Sequence, residues 1–217
     1  MKKINFSVLL CSLALAANAQ TTQKANPFPL GQYEELTDTK PHDTDAAWAK
    51  ISASTQFSWA STDVRYRRGD IPKIKKQATW SGKAWRGERV NALAVLWTNC
   101  ELNDVEVIAT ELRSGKAVIP ASAVRTNFVR YVMTDELNEQ GGGCGFRNPA
   151  DFDSSVVADV LDINKTLPVK RNTTQPVWMN IWVPQDAKPG TYTGQLTIKG
   201  KGMKAQTLQV NLQVTNR

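Results

Sequence analysis

The chain holds a single histidine, His42, in a polar stretch near its start. A Ser-His-Asp relay needs an imidazole held firmly against its nucleophile, and His42 has no such setting. Cys100 and Cys144 have no companion histidine and do not complete a structural zinc site. Gly141-Gly142-Gly143 lacks the lysine and following helix of a phosphate loop, so it reads as a plain flexible loop. No metal or cofactor is expected.

Carboxylates are the next candidates, because glycoside cleavage uses paired acids. Asp135-Glu136 is an adjacent pair at the end of a strand-like run. Neighbouring side chains on a strand point to opposite faces, so the two do not converge on one bond and read as a solvated strand terminus. Asp151 with Asp153, and Asp159 with Asp162, read as acidic surface patches or cation ligands. No glycine-containing calcium-loop pattern accompanies them, which favours the surface reading. No catalytic residue is assigned.

Two surface chemistries remain. Arg65, Arg67, Arg68, Lys73, Lys75 and Lys76 form a basic stretch. It suits either an acidic polysaccharide or an edge strand protected from edge-to-edge pairing, and the second is the expectation. Trp80, Trp85, Trp97, Trp178 and Trp182 supply flat apolar faces that stack on sugar rings when exposed and fill a core when buried. Trp80, Trp85, Arg86, Trp178 and Trp182 are the candidate sugar or domain-docking surface.

The elements that position these residues are strands. In Val177-Trp178-Met179-Asn180-Ile181-Trp182-Val183, the aliphatic residues share one face while Trp178, Asn180 and Trp182 share the other. Pro184 closes that strand. Pro189-Gly190-Thr191-Tyr192 follows, matching the tyrosine corner of Greek-key sandwiches, with the phenol bonding back to backbone just upstream. Gly194 to Ile198 and Leu208 to Val214 alternate again, so three strands in series read as one sandwich sheet. Further strands are expected from Phe57, Asp63 to Arg68, Ala78 to Trp97, Val105 to Thr110, Val118, Val124 to Met133 and Val156 to Ile163. The fold class is all-β: a two-sheet antiparallel sandwich of immunoglobulin-like, Greek-key type.

The first residues belong to no fold. Lys2-Lys3, an apolar run from Ile4 to Ala17, and Ala17-Asn18-Ala19 form a secretory leader, with cleavage expected after Ala19. The run is too short for a permanent membrane span. Leu10 before Cys11 argues against a lipid anchor. The domain reading is leader 1–19, tail or linker 20–50 with one short helix between Asp43 and Ala49, and sandwich 51–217. Loss of Lys2 and Lys3 lowers the formal charge from +7 to +5. In an exported protein Cys100 and Cys144 form either a disulfide or two separate half-buried thiols. The bridge is the expectation, and it would stabilise the fold by roughly 4 kcal/mol in the chain-entropy picture.

Four runs carry a family resemblance. They are Trp80-Ser81-Gly82-Lys83-Ala84-Trp85-Arg86-Gly87-Glu88-Arg89, Arg130 to Glu136, Ala158 to Asp162, and Gln175 to Pro184 continued by Pro189 to Gly194. Together they resemble the N-terminal β-sandwich domain of secreted bacterial proteins similar to glycoside hydrolase family 123. The resemblance implies a sandwich followed by a TIM barrel, whose adjacent Asp-Glu pair assists the substrate's own acetamido group in releasing terminal β-linked N-acetylgalactosamine. The barrel has no counterpart here, so no catalytic residue is carried over, and Asp135-Glu136 is not that pair. The expectation is a periplasmic or extracellular, non-catalytic module that docks on a catalytic barrel, with no nucleic acid and no membrane anchor. The alternatives are a free-standing carbohydrate-binding module, through Trp80, Trp85 or neighbouring aromatics, and a structural or adhesion sandwich.

Overall fold

The computed structural model describes residues 35–38, 42–134 and 155–216. The leader, Asp135-Glu136, the glycine-rich loop with Cys144, and Asp151 with Asp153 lie outside the described residues. The fold is the all-β sandwich that the alternation predicts. Among the described residues one short helix, α1 (Asp45–Trp48), precedes twelve strands: β1 (Thr55–Ala60), β2 (Thr79–Trp85), β3 (Arg89–Thr98), β4 (Leu102–Ala109), β5 (Leu112–Ser114), β6 (Ala117–Ile119), β7 (Val124–Thr134), β8 (Ser155–Leu161), β9 (Thr166–Val169), β10 (Thr173–Trp182), β11 (Gly190–Lys201) and β12 (Gln206–Thr215). The first sheet has the order β1-β3-β10-β7-β8 and the second β2-β12-β11-β4-β9, with the β5–β6 ribbon attached to β11. Among the described residues no helix is long and apolar enough to cross a membrane.

The core lies between the sheets. Val177, Met179, Ile181 and Val183 are fully buried there, facing Leu196, Ile198, Val210 and Leu212 of the second sheet. Each such side chain contributes about 1.5–3 kcal/mol by leaving water, which is why the period of two is enforced along β10. The tyrosine corner forms as expected, with the Tyr192 hydroxyl donating to the Lys188 carbonyl at 2.8 Å.

Three features depart from the expectations. β10, β11 and β12 are not one sheet, because β10 belongs to the first sheet and its partners in sequence to the second; residues 183–189 carry the chain across. β2 pairs with β12 in parallel, Thr79 beside Gln209 through Trp85 beside Thr215. The Asp63–Arg68 run is not a strand but part of an irregular segment between β1 and β2. Its alternation fails because Arg67 and Arg68 turn inward to carboxylates instead of outward to water.

A second apolar cluster covers part of the outer face of the first sheet. Leu93, Val95, Trp97, Val129 and Tyr131 lie under Trp48 of α1 and under Tyr66 of the irregular segment. Thr44 caps α1 by accepting from Ala47 N–H. The Trp48 indole donates to the Gly69 carbonyl at 3.0 Å, which ties the two covering segments together.

Pro176 sits inside β10, a central strand, where a missing donor must be accommodated. Pairing with β7 begins only at Val177. The Gln175 side chain compensates by donating to the Val129 carbonyl at 2.8 Å.

Candidate functional site

Three places gather the polar and aromatic side chains singled out above. The first is a charge cluster holding residues 35–38 and 42–48 to the sandwich. Glu35 accepts from Arg130 Nε at 2.7 Å, from the Tyr131 backbone N–H at 3.1 Å, and from Arg68. Arg130 also donates to Asp162 at 2.8 Å. Burial disfavours the Arg130 charge, yet the carboxylates of Asp162 and Glu35 more than restore it, and its pKa is raised. Beside this cluster, Arg67 bridges Asp38 and Asp70, and His42 lies 3.1 Å from Asp70 and 3.5 Å from Asp38.

This arrangement corrects two surface readings. The side chain of Asp162 is 8% exposed and committed to Arg130, so it forms no surface patch with Asp159, which is exposed. No group of acidic, histidine or cysteine side chains suited to a metal ion occurs among the described residues. The basic stretch is in part a clamp: Arg67 and Arg68 hold the N-terminal segment. Residue types alone give no signal of this, because Glu35 lies in a polar run without period.

The second place is one end of the sandwich. β2 and β3 are joined by Arg86-Gly87-Glu88, which crosses from one sheet to the other in three residues. Trp85 N–H donates to Glu88 Oε2 at 2.7 Å, Gly87 N–H to the Val183 carbonyl at 2.9 Å, and Val183 N–H to the Glu88 carbonyl at 2.9 Å. Gly87 has φ +78°, and a Cβ there would lie 2.5 Å from the Gln185 side chain. The turn therefore demands glycine. It leaves Arg86 exposed and Trp85 53% exposed. Thr215, at the end of β12, stands directly beside Trp85, and its hydroxyl donates to the Ala84 carbonyl at 3.3 Å.

The third place is the uncovered part of the outer face of the first sheet. Trp178, Asn180 and Trp182 point there, flanked on β3 by Leu93, Asn91 and Arg89. The Arg89 guanidinium lies over the Trp182 ring at 5.0 Å, a cation–π contact. Asn91 Oδ1 accepts from the Trp178 indole at 3.2 Å and from the Asn180 amide at 2.7 Å. Arg125 of β7 is paired across from Asn180 and is exposed. The face runs into a groove of about 270 Å³ that includes Trp178, Leu93, Val129 and Pro176, with Arg65 and Asp159 also lining it.

The five candidate residues thus separate. Trp80 is drawn onto the core, 6.1 Å from Trp59, with its ring over Gly82, where a Cβ would meet it at 2.3 Å. An odd separation along one strand puts Trp80 and Trp85 on opposite faces, so they make no common platform. Trp85 and Arg86 stay together at the end of the sandwich, and Trp178 and Trp182 on the sheet face. Asn91, Asn180 and Arg125 were missed, although cross-strand position on the same face is the signal that finds them once the register is known. The Cys100 thiol lies 3.3 Å from Asn99 Oδ1, and no disulfide is formed among the described residues.

Comparison with known proteins places this architecture. Residues 59–200 match the family described as glycoside hydrolase 123 N-terminal domain. A solved family 123 glycoside hydrolase from Clostridium perfringens, described as hydrolysing glycolipid glycans, is similar over 76% of this chain, with 23% identity and a TM-score of 0.66. This chain spans 28% of that protein's length. A PapD-like domain of human CEP192 matches 85% of this chain and 96% of its own, at 8% identity and a TM-score of 0.41. No curated protein sequence matches.

Proposed function

Because this chain belongs to the glycoside hydrolase 123 N-terminal domain family, we propose that it serves as the non-catalytic, exported β-sandwich module of a glycan-degrading protein and docks on a catalytic barrel. The docking surface is the end of the sandwich built by the Trp85-Arg86-Gly87-Glu88 turn. The observation that carries this reading is the register of β12 on β2, which ends with Thr215 beside Trp85. Any domain joined after β12 starts at a half-exposed indole and an exposed guanidinium, residue types favoured as interface anchors. The turn is held rigidly by paired backbone bonds to Val183, so little order is lost when it is covered. The carboxylates of Glu35 and Asp162 are bound to arginines and serve the clamp, not bond cleavage.

The test is titration calorimetry of the exported chain against the catalytic portion of a family 123 hydrolase expressed without its own sandwich. Saturable association is expected, weakened roughly tenfold or more by Trp85→Ala, the loss typical of a truncated anchor. No association, or association indifferent to Trp85→Ala and Arg86→Ala together, refutes the docking assignment. Release of a chromogenic N-acetyl-β-galactosaminide by the purified chain refutes the non-catalytic one.

A further inference from the structure

We propose that the outer face of the first sheet, from the Arg89–Trp182 stack across Asn91 and Asn180 to the Trp178 groove, binds an acidic glycan, a pyranose ring on the Trp178 indole and its carboxylate or sulfate groups on Arg89 and Arg125.

Asn91 Oδ1 already accepts two hydrogen bonds, from the Trp178 indole and the Asn180 amide. The Asn91 amide NH₂ is therefore turned to the opposite side of its plane, and the Asn180 carbonyl oxygen is turned away from Asn91. The pair presents a donor and an acceptor in fixed positions, the kind of group that orients sugar hydroxyls. The bond from Trp178 to Asn91 runs diagonally to the neighbouring outward position on β3, since Trp178 is paired with Leu93. An indole so tied is fixed in place on the sheet, half-buried against the second apolar cluster. Four residues of strand separate Trp178 from Trp182, roughly 13 Å, with the amide pair between them. That is an extended platform, not a single deep hole.

The charge on this face selects among ligands. Arg89 and Arg125 stand on it, and among the described residues Asp159 lines the adjoining groove. Arg67 and Arg68, of the basic stretch, are committed to Asp38, Asp70 and Glu35 and take no part. A guanidinium matches carboxylate or sulfate geometry with two parallel bonds. A neutral glycan would use the indole and amides and leave the arginines idle. The groove itself, about 270 Å³, lies just below the usual range for whole small-molecule pockets and suits one ring at the end of a longer ligand.

The full exported chain is titrated with chondroitin sulfate, with chemically desulfated chondroitin, and with a neutral galactan, at low and moderate salt. Binding of the sulfated polymer, weaker for the desulfated one and absent for galactan, is expected. Trp178→Ala and Asn91→Ala should each weaken it roughly tenfold, the former checked for folding by near-ultraviolet circular dichroism. Asn91 is exposed, so its variant keeps the test alive if Trp178→Ala fails to fold. Trp85→Ala should leave glycan binding unchanged, which separates this site from the docking end. Binding lost on Arg89→Ala but indifferent to both Trp178→Ala and Asn91→Ala overturns the proposal in favour of unspecific charge attraction. Equal binding of galactan overturns the choice of an acidic ligand, and binding of none of the three overturns the site. Shielding of Trp178 from iodide quenching by a catalytic barrel supplied in trans, without glycan binding, assigns the face to a protein instead.

Discussion

Replacing Glu35 by alanine should unlatch the N-terminal segment and weaken the whole sandwich. The side chain is 12% exposed and joins Arg68, Arg130 and the Tyr131 backbone N–H. Removing one member of a buried charge cluster costs about 3–5 kcal/mol when its partner is stranded. Arg130 keeps Asp162, and the Arg68 side chain retains 28% exposure, so the lower end, about 3 kcal/mol, applies. For a domain of this size each kcal/mol lowers Tm by about 2–4 °C, giving a fall of roughly 6–12 °C. Glu35→Gln keeps an acceptor for Tyr131 and should lose roughly half as much. Thermal melting by circular dichroism reads the global effect, and hydrogen exchange over residues 42–50 reads the segment. An unchanged Tm with unchanged exchange refutes the claim that Glu35 holds the segment. Faster exchange with an unchanged Tm refutes the coupling of that segment to the stability of the sandwich.

Other outcomes follow from the same geometry. Burial, with Glu35 nearby, pushes the Tyr131 phenol well above its ordinary 10.0. The folded pKa exceeds the unfolded one, so this contribution is complete below about pH 10 and is lost as pH rises through the folded value. Urea midpoints should hold up to about pH 10 and fall beyond it. Tyr131→Phe should flatten that fall while losing about 1 kcal/mol at neutral pH with the bond to the Thr174 carbonyl. Gly87→Ala meets both a left-handed φ and the Gln185 side chain, and should cost about 1–3 kcal/mol in a denaturant melt. The bridge proposed between Cys100 and Cys144 predicts no titratable thiol in the exported, unreduced chain unfolded in denaturant; two thiols remove it.

What could be read beforehand was local. The alternation in β10, the proline that ends it and the tyrosine two residues past Gly190 are each consequences of neighbouring positions, and they form as their spacing implies. The opposite facing of Trp80 and Trp85 was also present in their odd separation. What was hidden depends on partners distant in the chain. Glu35 meets Arg130 across 95 residues, and no period marks either one. Arg67 and Arg68 looked like an outward basic stripe because alternation describes a side chain's direction, not the carboxylate waiting for it. The amide pair of Asn91 and Asn180 needed the β3–β10 register, which neither strand states alone.

The parallel seam between Thr79–Trp85 and Gln209–Thr215 has a consequence for how the protein is made. Synthesis delivers Trp85, the end of the earlier strand, 124 residues before Gln209 of the later one. Throughout that interval the amides and carbonyls that β12 will pair are left to water, and Ala84 and Trp80 lack their cover. The second sheet gains β2 as its outer edge only once β12 has been made. Long-range pairing of this kind is intrinsically slow and leaves residues 79–85 an open edge until it is complete.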